Sequence, residues 1–477
     1  MGVTLKFPLD PNKGFVYNPR MIEKKIKKEL EKSIGKEKVF DGDEYRVTYS
    51  YDATGNHYLP DIVVFPSTET DIENILRIAY TNKIPVTPRG AGVGYTGGSL
   101  PVKGGISMVF TLMNKILKID TENFIAEVEP GVVTYNLQQE VEKRGLFYPP
   151  DPASLKTSTL GGNVAENAGG LRCFKYGVTG NYVLGLEAFL IYGRKIHTGG
   201  RVIKNVAGYD IKSLLVGSEG TLAVISKIIL RLIPLPQYRQ LFRLDFKSLR
   251  TGAEFINIML NARISPSVLE FMDESSILAV CQFQGIPVDP SIKASMLVEI
   301  DGSKTDVIER AAQFKELAMK HDILDFKMAE TLSEQDKLWS MRRNISPAIS
   351  KLKPKKINED IVVPTGRIPD TIDYINTLSK EFDIPIVLFG HFGDGNIHTN
   401  IMVDDKNKEE MTRAETILDK IFRFVISVNG SITGEHGVGL SKKPFMKYQF
   451  SDTELEVFRS VKKVFDPENL LNPEKIF

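Results

Sequence analysis

The sequence predicts an α+β protein of two or three domains. Its 477 residues exceed the length at which one hydrophobic core keeps growing. Short apolar runs of strand type alternate with amphipathic helical stretches along the chain. Glycine is unevenly spent: 22 of the 38 lie between Gly90 and Gly220, and four between Pro236 and Phe389. Glycine serves where backbone turns sharply or meets a ligand closely. The first region therefore reads as built around something held by main chain, and the glycine-poor region as an ordinary α+β domain. Pro234-Leu-Pro236 marks the division, because paired prolines end helices and strands alike. The expected plan is a helical segment over 1–54, a first domain over 55–236, a second over 237–430 and a closing segment over 431–477.

The elements follow in order. Lys24, Lys25, Lys27 and Lys28 are interleaved with Ile26 and acids, as on the wet face of a helix. Residues 62–65 read as a buried strand. Residues 70–83 read as a helix with Ile72, Ile75, Leu76 and Ala79 on one face. A strand over 84–87 enters a glycine loop, and strand-like residues 106–111 follow it. Residues 184–192 and 196–198 suggest a hairpin, 210–216 a short helix and 222–232 a long strand. In the second region, 306–321 and 408–428 have helical periodicity, whereas 295–300 and 385–389 look like strands.

Composition excludes several classes. Basic and acidic side chains balance, 61 against 60, for a net charge of +1. No basic run is long enough for a nucleic-acid surface. Two cysteines, Cys173 and Cys281, give no disulfide framework and fit a reducing interior; Cys173 reads as a packed thiol. The N-terminus lacks the apolar stretch of a secretory signal. The longest apolar run, 222–235, is broken by Lys227 and Arg231, so no transmembrane segment is expected. The expected address is cytoplasmic.

Gly92-Val-Gly94-Tyr-Thr-Gly97 satisfies the dinucleotide-binding pattern, and Asp120 stands about where a ribose-binding acid is sought. That pattern counts only where a helix follows, since the helix N-terminus holds the pyrophosphate. Here Pro101, Gly104 and Gly105 follow, so a nicotinamide-type site is rejected. Consecutive glycines still present N–H groups as an anion-binding nest, with the charge of Arg89 beside them. Two further clusters, Gly161-Gly-Asn163 with Asn167-Ala-Gly169-Gly170, and Val216-Gly-Ser-Glu219-Gly-Thr221, make one large main-chain-lined site more probable than three unrelated loops.

The last hundred residues carry a different chemistry. His391-Phe-Gly-Asp-Gly-Asn-Ile-His398 and Gly434-Glu435-His436-Gly437 hold three of the six histidines. Two imidazoles and a carboxylate make the ligand set of an open divalent-metal site. A strand ending before His391, a five-residue turn and a return strand would bring both imidazoles together. Glycines at 434, 437 and 439 allow Glu435 and His436 to serve one site, although neighbouring strand residues face opposite ways. Asp394 either orients a ligand histidine or shapes the turn.

Arg89-Gly-Ala-Gly92, Pro149-Pro-Asp-Pro152, Gly161-Gly-Asn163, Tyr176-Gly177, Gly217-Ser-Glu-Gly-Thr-Leu222 and Phe465-Asp-Pro-Glu-Asn-Leu-Leu-Asn472-Pro473 together resemble the FAD-linked oxidases of the vanillyl-alcohol-oxidase superfamily. The nearest group is the D-2-hydroxy acid dehydrogenases: D-lactate dehydrogenase, the flavin subunit of glycolate oxidase and D-2-hydroxyglutarate dehydrogenase. The resemblance runs from about residue 55 to the end. It implies an α+β fold in which 55–236 is an FAD-binding domain of the vanillyl-alcohol-oxidase (PCMH) type. It makes 237–430 an α+β substrate, or cap, domain and returns 431–477 to the flavin site.

By that resemblance, Arg89, Gly90, Ala91, Gly92, Val93, Gly94, Tyr95, Gly97, Gly98 and Ser99 hold the FAD pyrophosphate together with Pro150, Asp151, Ser158, Gly161, Gly162 and Asn163. Ala165, Asn167, Gly169, Gly170, Tyr176 and Gly177 continue the cofactor-binding surface. Glu219, Gly220 and Ile225 lie along the adenosine side, and Asn472 near the isoalloxazine. Relatives that tether flavin use a histidine in the first loop; none occurs between residues 88 and 99, so FAD is expected to be non-covalent. The family's metal ligands match His391, His398 and Glu435, with zinc foremost and manganese or iron as alternatives. Its general base matches His436. Its Trp-x-x-Arg segment matches Trp339-Ser-Met-Arg342, whose guanidinium would grip the substrate carboxylate through two hydrogen bonds. Arg343 stands where relatives often carry an acid. Ser346 and Lys356 are weaker candidates for the substrate's far end.

The implied reaction oxidises a D-2-hydroxy acid, D-lactate foremost, to the 2-oxo acid, with hydride passing to flavin N5. Glycolate and D-2-hydroxyglutarate are the alternative substrates. A hydroxyl near pKa ~16 can fall to ~7 on a metal, on the order of 12 kcal/mol at most. A positioned base gives roughly 10²–10⁴-fold, or ~3–5 kcal/mol, so the metal should dominate. Electrons would pass to a separate acceptor rather than NAD, with an iron–sulfur protein as candidate because this chain has no cysteine array for a cluster. A homodimer, and a peripheral place at the inner membrane face through a partner, complete the expectations. Two other readings stand beside this one: a non-redox flavoenzyme resembling alkylglycerone-phosphate synthase, and a catalytically silent flavin-binding subunit.

Overall fold

The computed structural model describes residues 22–477; the part of the expected N-terminal helical segment over 1–21 lies outside them. The fold is α+β, in two compact units. The second comprises Gly170–Gly177 and Pro236–Gly434, and the first comprises the remaining described residues.

In the first unit, β1 (Val39–Phe40), β2 (Ile62–Val64), β3 (Val86–Arg89) and β4 (Ile106–Val109) form one sheet. Its order is β1-β2-β4-β3, with β2, β4 and β3 parallel. A second sheet joins β5 (Ile116–Asp120), β6 (Ile125–Val128), β8 (Val183–Phe189), β9 (Lys195–Gly199) and β10 (Val224–Arg231), all antiparallel. The short β7 (Leu146–Phe147) pairs with β11 (Ile233–Pro234).

The helix Glu69–Thr81 runs where its apolar period places it. Its Thr68 cap accepts the Asp71 N–H at 3.1 Å, and Ile72, Ile75, Leu76 and Ala79 are buried. Lys83 then takes a left-handed φ of 53° and the Ile84 N–H returns to Ala79 O. Pro85 has no N–H to offer, so the next strand starts at Val86 rather than at 84. The helix Lys24–Ile34 turns Leu30 and Ile34 into the same core while Lys24, Lys25 and Lys28 stay exposed. At the chain's other end, Val86 N–H donates to Leu470 O and Asn472 N–H to Val86 O, both at 2.8 Å. This lays Asn472 at the mouth of the glycine loop that β3 enters.

The second unit is one seven-stranded antiparallel sheet of β12 (Tyr238–Phe246), β13 (Val268–Asp273), β14 (Ala294–Gly302), β15 (Asp325–Met328), β16 (Lys355–Val362), β17 (Ile386–Gly390) and β18 (Asn396–Val403). The order is β15-β12-β14-β13-β17-β18-β16. Helices Glu274–Gln284, Leu332–Arg343 and Ile345–Ile349 close a core with Leu241, Met272, Leu297, Val387, Phe389 and Met402. Helices Lys304–Met319 and Lys408–Ser427 match the periodic stretches. Neither cysteine is in a disulfide among the described residues; Cys281 is buried and Cys173 half-buried.

Candidate active site

The glycine loop after β3 is shaped from beneath by Arg89. Its guanidinium donates to Tyr51 O at 2.7 Å, lies 3.4 Å from Ser99 Oγ and stacks over the Tyr49 ring. Burial lowers its pKa. Gly92 has φ +70°, and a Cβ there would stand 2.0 Å from the Arg89 fork, so only glycine closes this turn. Among the described residues, the N–H groups of Gly90, Ala91, Gly92, Val93 and Gly94 donate to no acceptor, and a Cβ built on Gly94 meets nothing within 4 Å. A row of uncommitted amides beside open space suits a phosphate. No helix follows the loop, as the rejected nicotinamide reading requires.

The other expected cofactor segments converge on it. A Cβ at Gly90 would lie 2.4 Å from Thr159 Oγ1 and 3.6 Å from Gly162 Cα, so loop and segment touch there. Asn163 donates to Thr134 Oγ1 at 2.7 Å, and Ser158 O accepts from the Thr134 N–H. Gly161 packs on Pro130, and Asp151 is buried behind Pro150, whose carbonyl accepts from Gln138. Asn167 ends the helix Leu160–Glu166 in a left-handed turn, and its Oδ1 accepts the Gly180 N–H. Ala165 O accepts from the Glu219 N–H at 2.8 Å. Asn472 Nδ2 donates to Gly98 O at 2.8 Å and Glu219 O at 2.7 Å, while its buried Oδ1 has no donor among the described residues. An orphaned buried acceptor costs stability unless a ligand supplies the donor. Uncommitted amides and this acceptor together fit FAD.

Several expected cofactor residues also make contacts within the chain. Gly170, Tyr176 and Gly177 lie in the second unit, where the Tyr176 hydroxyl donates to Asp301 at 2.8 Å. Ile225 is a buried β10 residue paired with Ala188. Gly220 turns with φ +66° against Pro88. Glu219 uses its carboxylate on the chain itself, accepting the Val438 and Gly439 N–H groups at 2.7 Å each. Burial pushes its carboxyl pKa up. Burial likewise brings Lys475 down to about 7, opposed by Glu219 and Asp52.

Those bonds hold the turn after His436. Thr96 Oγ1 donates to His436 O at 3.1 Å, Thr96 O accepts from the Leu440 N–H at 2.7 Å, and the Tyr95 and His436 rings stand 5.2 Å apart. The expected base thus sits against the glycine loop. Gly437 and Gly439 have φ of 79° and 50°.

The histidine pair is built by the β17–β18 hairpin. Phe389 pairs with His398, and His391 begins the turn that Gly393 and Gly395 allow. Both imidazoles are buried, with His391 Nε2 3.4 Å from His398 Nε2. Two donors ~2.1 Å from a tetrahedral ion are themselves roughly 3.4 Å apart. Across the β16–β18 ladder, Asp360 stands opposite His398, fully buried. Its carboxylate accepts from Thr433 Oγ1 at 3.1 Å and from the Gly434 N–H at 2.9 Å. Glu435 is the next residue, and one ligand atom from each of His391, His398 and Glu435 falls within 4.8 Å of the others. The donor set fits a divalent cation.

Asp394 accepts the Asn396 N–H at 3.4 Å within the turn. A carboxylate on His391 that the sequence reading missed is Glu270 of β13: Oε1 meets His391 Nδ1 and Oε2 accepts from Arg342 Nε. Its sequence signal is a lone acid among Val268, Leu269, Phe271 and Met272. Arg342 is buried with its guanidinium 4.9 Å from the centre of the Phe389 ring, and its Nη groups have no hydrogen bond among the described residues. Lys356 donates to Ser346 Oγ at 2.8 Å, and burial lowers its pKa.

Comparison with known proteins places this architecture. Residues 235–476 match the C-terminal domain of FAD linked oxidases, and residues 60–199 match an FAD binding domain. The chain is 40% identical to the glycolate oxidase subunit GlcD of Bacillus subtilis, over 96% of this chain and 97% of that one. It is 33% identical to a D-lactate dehydrogenase of Anaerostipes hadrus, over 96% and 97%. It is 34% identical to a D-2-hydroxyglutarate dehydrogenase of Stutzerimonas stutzeri, over 88% and 91%. Among solved structures, p-cresol methylhydroxylase superposes with a TM-score of 0.79 at 15% identity, covering 95% of this chain and 96% of that one. An alkyldihydroxyacetonephosphate synthase gives 0.75 at 18%, covering 97% and 87%. These two share the fold. With its FAD-binding and C-terminal domains matched along most of its length, the chain belongs to the FAD-linked oxidases.

Proposed function

We propose that this protein oxidises a D-2-hydroxy acid, D-lactate foremost, to the corresponding 2-oxo acid, using non-covalent FAD and a divalent metal held by His391, His398 and Glu435. The carrying observation is the facing imidazole pair, with Glu435 within 4.8 Å. Bound FAD supplies a two-electron acceptor, and a bound cation supplies Lewis acidity. The Nη groups of Arg342 grip the substrate carboxylate, and the stacked Phe389 ring fixes the plane of the fork. His436 takes the hydroxyl proton, its backbone held by Thr96. The relatives support the substrate class, since they are named for glycolate, D-lactate and D-2-hydroxyglutarate. Electrons leave to a separate acceptor, for which an iron–sulfur protein is our candidate. No helix among the described residues is long and apolar enough to cross a membrane. We place the protein in the cytoplasm, peripheral to the inner membrane face only through a partner, and a homodimer is the assembly to test.

The test is anaerobic flavin reduction with D-lactate, L-lactate, glycolate and D-2-hydroxyglutarate, before and after chelation. D-Lactate should bleach the yellow colour fastest, and metal removal should slow it at least ~100-fold if the metal term dominates. Reduction by no hydroxy acid, or a rate indifferent to chelator, defeats the reading. Faster reduction by glycolate or D-2-hydroxyglutarate would replace D-lactate as the substrate.

A further inference from the structure

We infer that Glu270 is a positioning residue that joins the substrate-carboxylate clamp to a metal ligand; this rests on the function proposed above. Its carboxylate is fully buried in the central strand β13, with one oxygen on His391 Nδ1 and the other on Arg342 Nε. An ionised carboxylate only accepts hydrogen bonds, so Nδ1 of His391 carries the proton. The lone pair of His391 Nε2 then points toward His398 Nε2, where a cation would be bound. A carboxylate behind a ligand imidazole fixes its tautomer and raises its basicity.

The same side chain orients the clamp. With Nε engaged by Glu270 and the guanidinium stacked at Phe389, the two Nη groups are the edge left for a ligand. The site's two grips on a hydroxy acid, one for its carboxylate and one for its hydroxyl, are thereby set by a single residue on a sheet strand. The pair is shielded from solvent: Glu270 is 0% exposed and Arg342 8%. Losing either contact leaves a buried charge short of a partner.

Glu270→Gln keeps the shape but removes the charge and places an N–H₂ against one partner. Glu270→Asp keeps the charge but is one methylene too short to span both. Each variant is purified with FAD, and its zinc affinity is measured by competition with a chromophoric chelator. KM and kcat for D-lactate are measured on metal-loaded protein. Both variants should bind zinc about 10–100-fold more weakly and show raised KM, with FAD content unchanged. A variant that folds and binds zinc within twofold of the wild type overturns the inference; if the Gln variant does not fold, the Asp variant decides. Wild-type protein that binds no zinc defeats the proposed function instead.

Discussion

Asp273 offers a prediction that can be worked from the structure. It sits at the end of β13, three residues beyond Glu270. Oδ1 caps the helix Glu274–Gln284 by accepting the Ser276 N–H at 2.7 Å, and Oδ2 accepts the Leu388 N–H of β17 at 2.8 Å. Asp273 therefore fastens the strand leading to His391. Burial pushes its carboxyl up to about 6 against these bonds, from an ordinary 3.8. The folded value lies above the unfolded one, so folding takes up a proton between them, and stability falls as pH rises through that window. At about 1.4 kcal/mol per unit of pKa, the full effect is ~3 kcal/mol, of which about 2 lies between pH 7 and pH 4.5. Asp273→Asn has no such titration and turns an N–H₂ toward one of the two amides, a cost of about 1–3 kcal/mol. Near pH 7 this cost and the lost burden of a buried charge roughly offset each other, so wild type and variant should melt close together. Toward pH 4.5 the wild type should gain ~4–8 °C on the variant, at roughly 2–4 °C per kcal/mol for a unit of this size. Other titrating groups cancel in the difference between the two proteins. A gap in melting temperature that stays constant or narrows as pH falls would show that Asp273 is not held near neutrality, and the account of β17 anchoring would fail.

Two further outcomes are expected. Gly437→Ala must bear a side chain at φ +79° with its Cβ 2.2 Å from Glu166 Oε2; displacing His436 by about 1 Å should slow flavin reduction on the order of 100-fold while FAD stays bound, and an unchanged stopped-flow rate would refute the need for this turn. Asn472→Ala strips a buried and a half-buried carbonyl of their donor, at about 1–3 kcal/mol for the buried one; FAD should be lost on gel filtration, and a retained 1:1 ratio of flavin to protein would refute the role given to Asn472.

Much of this was legible because the sequence states it locally. The helix Glu69–Thr81 and the β17–β18 hairpin follow from apolar period and turn chemistry. The histidine pair follows from a fixed short spacing around a glycine turn. The absence of a helix after Gly97 was readable from Pro101 and the glycines behind it. Glu270 and Asp360 were not legible as site residues, because each lies over 25 residues from the groups it serves and acts through the order of strands in a sheet. Period-two alternation places Glu270 on a sheet face but says nothing of which strand will lie beside it. Glu219 was assigned to the cofactor surface from its motif, whereas its carboxylate meets two amides more than 200 residues away. Asp394, left open between two roles, accepts the Asn396 N–H within its turn, and Glu270 meets His391 from a strand the sequence does not point to.

The turn carrying Glu435 and His436 shows why such distant acids are needed. Glycines at 434, 437 and 439 give it the bends that let consecutive residues serve as ligand and base. Each also adds backbone freedom, at roughly 0.5–1 kcal/mol relative to alanine. Left alone, such a segment would not hold two side chains to the tolerance that catalysis needs. The protein fixes it at both ends with a buried carboxylate: Asp360 on Thr433 and Gly434, Glu219 on Val438 and Gly439. Hydrogen bonds from these donors to a carboxylate are among the stronger available when it is charged. A neutral acceptor could bond the same amides, but less strongly. The two acids thus supply the rigidity that the glycines remove, without restricting the bends the chemistry requires.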